Sequence, residues 1–135
     1  MHIAAITGFS GAGKTTLIAA LIRRYIVEGQ RVAAIKHTHH ELNAERRGDT
    51  AQFVDAGADP VFLAGAQRAV VFRRNGECEW IDFRSLDDLV TTIDADILLV
   101  EGLKTHRVWP QVSIDAARRP AVDELAAILD RIWRP

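Results

Sequence analysis

The fold of this chain is decided near its start, in the stretch "HIAAITGFSGAGKTT" (His2–Thr16). The run "HIAAIT" is apolar and ends at a glycine, which predicts a short buried strand. Gly8, Gly13, Lys14 and Thr15 then satisfy the phosphate-loop pattern G-x-x-x-x-G-K-[ST]. The stretch therefore predicts a strand, a phosphate-binding loop and the first turn of a helix.

The residues after the loop extend this unit. Apolar side chains recur at helical spacing and Gly29 follows where a helix commonly ends, so we predict a helix over Lys14–Glu28. The apolar run "RVAAIK" (Arg31–Lys36) predicts a second strand. A strand, loop, helix and strand in this order form a βαβ unit with parallel strands and a right-handed crossover.

Further strands are predicted at "DPVFLAG", at "DILLVEG" (Asp96–Gly102) and at "QVSI". In "AVVFRRNGECEWIDF", Asn75-Gly76 lies between two β-rich runs and predicts a hairpin with a two-residue turn. A short helix is predicted in "GDTAQFVDAGA", capped by Asp49 or Thr50. Ser85 is a predicted cap for another helix, and Pro120 opens a last, amphipathic one. We predict an α/β fold of the P-loop NTPase type: a mostly parallel sheet flanked by helices, with one antiparallel β-hairpin.

Composition narrows the class of protein. At 135 residues the chain has the size of one domain, and we predict a single nucleotide-binding domain over residues 1–135. The net charge of −1 gives no overall reason to expect a nucleic-acid partner, and no apolar run reaches the ~20 residues of a membrane span. The single cysteine, Cys78, and an N-terminus without a basic leader predict a cytoplasmic location.

The loop is the predicted phosphate site. Its backbone N–H groups converge on the phosphates, and the following helix adds its positive end. Lys14 is expected to reach the β- and γ-phosphates and Thr15 to ligate Mg²⁺. The candidate nucleotide-binding residues of the loop are Gly8, Ser10, Gly11, Ala12, Gly13, Lys14, Thr15 and Thr16.

A phosphate loop needs a second acid to organise magnesium, usually at the end of a buried strand. Glu101 lies near the end of "DILLVEG", where ligands bind outside the carboxyl ends of parallel strands. Asp96 lies at the other end of that strand, roughly 16 Å away, and is the weaker candidate. Asp49 is a second candidate for the metal or its waters, or a simple helix cap. Lys14, Glu101 and Asp49 are the predicted catalytic residues, and Thr15, Glu101 and Asp49 the predicted metal site.

"KHTHH" (Lys36–His40) follows the second predicted strand and also emerges at the carboxyl edge. His37 and His39 would share a face of an extended chain, so we count them among the candidate ligand-binding residues. With His40 they could bind a metal, contact an anionic ligand, transfer a proton, or be exposed loop residues.

For several other residues, the sequence leaves two possible roles open. Arg46 and Arg47 could pair with phosphate or form a solvated basic loop. Lys104 and His106 belong to a loop predicted near the same rim. The aromatic side chains Phe72, Trp80 and Phe83 of the hairpin region are expected in the core; exposure would indicate a subunit interface instead.

Four stretches in this order, "GFSGAGKTTL", "VAAIKHTHH", "GDTAQFVDAGA" and "LLVEGLK", resemble the molybdopterin-guanine dinucleotide biosynthesis protein B (MobB) family. The combination of "KHTHH" with "EGLK" makes the resemblance more specific than the loop alone. It implies a dimeric protein that binds GTP and Mg²⁺, hydrolyses GTP weakly, and assists the guanylyltransferase of molybdenum cofactor biosynthesis. Molybdopterin is a further candidate ligand. Carried over, Gly11, Gly13, Lys14, Thr15 and Thr16 would hold the phosphates, Glu101 would face the magnesium and Asp49 would stand near it.

Two alternatives belong to other classes. A small-molecule kinase of the P-loop class needs an acceptor pocket and commonly an arginine-bearing lid. Arg46 and Arg47 could form a minimal lid, but 135 residues leave little room for an acceptor domain. A signalling GTPase reads guanine through an N-K-x-D element, which this sequence lacks. A preference for GTP over ATP is therefore implied by the resemblance alone.

Overall fold

The computed structural model of the protein describes residues 1–8, 13–39, 42, 48–102, 109–115, 117 and 119–135. Its strands are β1 (His2–Thr7), β2 (Val32–His37), β3 (Val61–Ala64), β4 (Arg68–Phe72), β5 (Cys78–Asp82), β6 (Ile97–Glu101) and β7 (Gln111–Ser113). Its helices are α1 (Lys14–Val27), α2 (Gly48–Ala56), α3 (Leu86–Thr91) and α4 (Val122–Trp133). Within this part of the chain, no helix is both long enough and apolar enough to span a bilayer.

The strands form one sheet in the order β5-β4-β3-β2-β6-β1-β7. The pairs β3–β2, β2–β6, β6–β1 and β1–β7 are parallel, whereas β4 is antiparallel to both β3 and β5. The predicted α/β class, with a mostly parallel sheet and an antiparallel hairpin, is confirmed. The strand that carries the phosphate loop, β1, lies between β6 and β7, so both of its neighbours direct their carboxyl ends toward the loop.

Helices cover both faces of the sheet. On one face, α1, α2 and α4 bury Ile18, Phe53 and Leu125 against β1, β2 and β6. On the other face, α3 packs Leu89 against the alternate residues of the same strands, together with Trp109. Burial on both faces explains why β6 reads as a continuous apolar run in the sequence.

The hairpin turn differs from its prediction. The N–H of Arg73 bonds to the carbonyl of Glu77 at 2.9 Å, and the N–H of Gly76 bonds to the carbonyl of Arg73 at 3.0 Å. The loop therefore contains three residues, 74–76, rather than two. Gly76 takes the left-handed conformation, with φ of 90°, that closes such a three-residue turn.

Two helix starts were predicted with different success. Ser85 caps α3 as expected, and its hydroxyl accepts a hydrogen bond from the N–H of Asp88 at 3.2 Å. Asp49 and Thr50 were expected to cap α2, but the helix begins at Gly48 and so contains both in its first turn. This placement leaves the Asp49 carboxylate available for a contact outside the helix.

Candidate nucleotide and metal site

The phosphate loop ends at Gly13, which adopts a left-handed conformation (φ 82°) just before the first turn of α1. A Cβ at this position would lie 2.7 Å from Nη1 of Arg119, so the guanidinium of Arg119 packs directly on the loop. At the start of the loop, a Cβ on Gly8 (φ 151°) would lie 2.2 Å from the carbonyl oxygen of Ile114. Glycine is therefore required at Gly8 by the close approach of a neighbouring backbone.

Lys14 begins α1, and its side chain reaches back to Gly8. Its Nζ donates a hydrogen bond to the carbonyl oxygen of Gly8 at 2.5 Å. The ammonium is thereby held beside Gly8, the residue with which the phosphate-loop motif begins. A phosphate that enters the loop would offer this ammonium charged oxygens, to which hydrogen bonds are stronger than to a neutral carbonyl.

Glu101 ends β6 and is buried, with only 2% of its surface exposed. The sheet register places it opposite Ile6 of β1 and Lys36 of β2. The hydroxyl of Thr15 donates to the Glu101 carboxylate, at 3.1 Å from Oε1 and 3.3 Å from Oε2. The structure thus brings together the two residues that were predicted to organise magnesium. Asp96 is separated from them at the opposite end of β6, where it pairs with Arg31.

Lys36 occupies the space between the two predicted metal-binding carboxylates. Its Nζ lies 2.9 Å from Oδ2 of Asp49 and 3.0 Å from Oε1 of Glu101. Burial lowers the pKa of Lys36, but hydrogen bonds and charge attraction from Asp49 and Glu101 outweigh it, and the net shift is upward. Lys36 is therefore charged, and it was not predicted as a site residue. The feature of the sequence that could have identified it is a charged residue, Lys36, near the end of an otherwise apolar predicted strand.

These side chains surround an open pocket of about 290 Å³. It is lined by Gly13, Lys14, Thr15, Thr16, Lys36, Asp49 and Glu101. The oxygens of Thr15, Asp49 and Glu101 are the hard ligands that Mg²⁺ prefers, so the donor set fits the predicted metal. The Lys36 ammonium shows in addition that this corner of the pocket already attracts a cation.

His37 and His39 lie beside this pocket and do not line it. Their rings meet edge to face with centroids 4.8 Å apart, and His37 packs next to Gly102 at the end of β6. Burial, His39 and Lys36 all lower the pKa of His37, which keeps its imidazole neutral at pH 7. Within the described ranges, no group of three or more His, Cys, Asp or Glu residues is arranged to hold a metal. The role predicted for these two histidines in ligand binding stays a prediction.

Several predicted residues lie outside the part of the chain that the structure describes. They are Ser10, Gly11 and Ala12 of the phosphate loop, His40, Arg46, Arg47, Lys104 and His106. Of the hairpin aromatics, Phe72 is buried as expected, whereas Trp80 is 41% exposed. The guanidinium of Arg68 lies over the Trp80 ring, 4.5 Å from its centroid.

Comparison with known proteins agrees with this architecture. The family model described as molybdopterin guanine dinucleotide synthesis protein B, MobB, matches residues 3–129. A molybdopterin-guanine dinucleotide biosynthesis adapter protein of Escherichia coli (strain K12) is 34% identical over 105 residues, which are 77% of this chain and 60% of that protein. The adapter protein of Haemophilus influenzae is 35% identical over 106 residues, 76% of this chain and 57% of its own length. This chain therefore spans between 57% and 60% of the length of these relatives.

Solved structures show the same fold. The crystal structure of Bacillus subtilis MobB superposes with a TM-score of 0.50 at 25% identity, over 84% of this chain and 68% of that one. The crystal structure of a MobB homologue from Bacillus stearothermophilus gives a TM-score of 0.50 at 24% identity, over 95% of this chain and 70% of that one. The resemblance inferred from "KHTHH" and "EGLK" is confirmed.

Proposed function

The chain belongs to the molybdopterin-guanine dinucleotide synthesis protein B (MobB) family, and from that membership we propose that it is an accessory protein of molybdopterin-guanine dinucleotide biosynthesis. In this proposal it binds GTP with Mg²⁺ and assists the guanylyltransferase that builds the dinucleotide cofactor. The observation that carries the nucleotide part is the meeting of Lys14, Thr15 and Glu101 in one pocket at the carboxyl edge of the sheet.

Each residue has a definite task in this proposal. Lys14 exchanges its bond to the Gly8 carbonyl for the β- and γ-phosphates, and the loop N–H groups and the N-terminus of α1 add further attraction. Thr15 and Glu101 hold Mg²⁺, which neutralises phosphate charge when bound, and Asp49 orients its waters.

The same contacts support weak hydrolysis. Among the described residues that line the pocket, the only carboxylates are those of Asp49 and Glu101, and this proposal assigns both to Mg²⁺ and its waters. A dedicated phosphotransferase positions a carboxylate on the attacking hydroxyl. Carboxylates engaged in this way favour a protein that holds its nucleotide over one that rapidly consumes it.

The proposed partners come from the family resemblance, and the proposed location from the single cysteine and the N-terminal sequence. We propose a cytoplasmic homodimer whose macromolecular partner is the molybdenum cofactor guanylyltransferase, with molybdopterin as a further ligand of the assembled complex. The names of the relatives support an adapter role in this pathway. The preference for guanine over adenine is likewise taken from the family resemblance.

The test is a pull-down of the purified guanylyltransferase by this protein with GTP and Mg²⁺, with GDP, and without nucleotide. We expect association that depends on the nucleotide. Lys14→Ala should weaken GTP binding by ~10–100-fold in calorimetry, because it removes a charge-assisted hydrogen bond worth roughly 1.5–3 kcal/mol. Its pull-down should then require correspondingly more GTP.

Arg134→Ala is the matched control: the substitution also removes one positive charge, but Arg134 pairs with Asp130 at the exposed end of α4, away from the pocket. It should bind GTP and the partner as the unmodified protein does. An unchanged GTP affinity in Lys14→Ala, or no association in any nucleotide state, would contradict the proposal. So would phosphoryl transfer to a small metabolite at the ~1–100 s⁻¹ typical of kinases.

A further inference from the structure

The pocket contains a cation of its own. The Lys36 side chain leaves β2 and places its ammonium between the carboxylates of Asp49, 2.9 Å away, and Glu101, 3.0 Å away. Glu101 is 2% exposed, and a buried carboxylate is tolerated only when it is paired and hydrogen-bonded. The ammonium supplies this pairing in the structure as it stands.

The position of this ammonium conflicts with a metal ion. Asp49, Glu101 and Lys36 together carry a net charge of −1, whereas the two carboxylates with Mg²⁺ would be neutral and would leave the Lys36 ammonium in excess. Mg²⁺ and the ammonium would repel each other at such short range in a partly buried site. The ion can therefore enter only if the ammonium moves to another anion.

We propose that Lys36 is a tethered counter-ion that excludes free Mg²⁺ from Asp49 and Glu101 and admits it only together with the phosphates of a nucleotide. A triphosphate in the loop offers the displaced ammonium new anionic oxygens, whereas Mg²⁺ alone offers none. Lys36 thus makes the site specific for Mg²⁺ that arrives with a nucleotide, because it couples metal binding to nucleotide binding. The exclusion of free Mg²⁺ follows from the contacts of Lys36 alone, and the release by nucleotide rests on the proposed function.

The direct test measures Mg²⁺ binding without nucleotide. In thermal unfolding, the midpoint of the unmodified protein should not respond to MgCl₂ beyond a general salt effect. Lys36→Met keeps an unbranched side chain only one atom shorter and removes the charge, so the unfolding midpoint of this variant should rise with MgCl₂ concentration. Calorimetry should show Mg²⁺ affinity at least ~10-fold higher in the variant, within the ~5–150-fold range usual for coupled sites.

The chain offers a matched control. Arg31 also bridges two carboxylates, Asp94 at 3.2 Å and Asp96 at 3.3 Å, but at the exposed opposite end of β6. Arg31→Met should gain no comparable Mg²⁺ response, since its carboxylates are hydrated and lie far from Thr15. Adding Glu101→Gln to Lys36→Met should abolish the gain, whereas Lys36→Arg should behave as the unmodified protein does.

A second measurement needs no variant. Mn²⁺ replaces Mg²⁺ at sites formed by oxygen ligands. The electron paramagnetic resonance spectrum of Mn²⁺ distinguishes the free ion from the bound ion. The unmodified protein should leave Mn²⁺ free until a guanosine triphosphate analogue is added. Stoichiometric Mn²⁺ binding without nucleotide, or identical Mg²⁺ titrations of the unmodified protein and Lys36→Met, would overturn the inference. Failure of the guanylyltransferase to associate would contradict the proposed function and leave these Mg²⁺ results unaffected.

Discussion

At the scale of single residues, Tyr25 places a polar hydroxyl group inside the hydrophobic core. Its ring packs in the cluster beneath α1, and its hydroxyl has no hydrogen-bond partner among the residues that the structure describes. Burial, with Asp130 and Glu28 nearby, raises its pKa to about 12. A buried hydroxyl without a partner lowers stability because it has lost its water and gained nothing in exchange.

Tyr25→Phe should therefore raise the free energy of unfolding at pH 7 by about 1 kcal/mol. The raised pKa gives a second effect. Between pH 10 and 12 the tyrosine of the unfolded chain loses its proton before that of the folded protein. The contribution of Tyr25 to the free energy of unfolding is therefore fully present below pH 10 and falls as pH rises toward 12. Phenylalanine removes this part of the alkaline loss, on the order of 2–3 kcal/mol.

Urea unfolding of both proteins at pH 7 and across the alkaline range measures the two effects. Because only the difference between the proteins is interpreted, the titration of other residues cancels. A variant less stable than the unmodified protein at pH 7 would contradict the prediction, since the hydroxyl would then contribute a favourable contact.

At the scale of elements, α4 is attached to the sheet by its last residue. The indole Nε1 of Trp133 donates to the carbonyl oxygen of Ile3 at 3.0 Å, and its ring stacks on His2 with centroids 5.1 Å apart. Leu125 and Leu129 bury the middle of the helix in the same core. The helix therefore closes one face of the sheet over β1, the strand that leads into the phosphate loop.

Trp133→Ala should lower the free energy of unfolding by about 2–4 kcal/mol, somewhat below the cost of truncating a fully buried aromatic, because Trp133 is only partly buried. Ile132→Ala is the neighbouring control; Ile132 is 38% exposed, so the change should cost only about 1 kcal/mol. Urea unfolding of the two variants measures the difference. Equal losses would show that Trp133 does not anchor the helix.

At the scale of the whole molecule, the sheet ends in an edge that faces outward at β5. Among the described residues no strand pairs with the outer side of β5, and Trp80 is exposed there beneath Arg68. Unpaired backbone groups next to an exposed tryptophan are characteristic of a surface that pairs with another chain. This edge is accordingly where the proposed homodimer would form.

Trp80→Glu should shift sedimentation from dimer toward monomer, with a loss of at least about 2 kcal/mol of association free energy, because it places a charge where the proposed dimer would bury an aromatic side chain. Val27→Glu is the control, since Val27 is also an exposed apolar residue but lies at the end of α1. A monomer at every concentration would contradict the homodimer, and a dimer insensitive to Trp80 would place its interface elsewhere.

Most of the fold could be predicted from short sequence motifs and from the periodicity of apolar residues. The phosphate loop, the alternation of strands and helices, the Ser85 cap and the position of Glu101 at a strand end could all be read from short stretches, because backbone preferences and buried faces act over a few residues. The start of α2 and the number of residues in the hairpin turn could not, because the same local sequence signals allow a helix to begin, or a turn to close, one residue earlier or later.

The amino-acid sequence by itself determined that this protein has a phosphate loop at the carboxyl edge of a parallel sheet and a family to which it belongs. Only the tertiary structure decided that Lys36 lies between Asp49 and Glu101. These three residues come from β2, α2 and β6 and meet because β6 inserts between β1 and β2 in the sheet. Strand order is determined by the packing of the whole core and leaves no pattern in a short stretch of sequence. The position of the Lys36 ammonium in the pocket could therefore be found only from the tertiary structure.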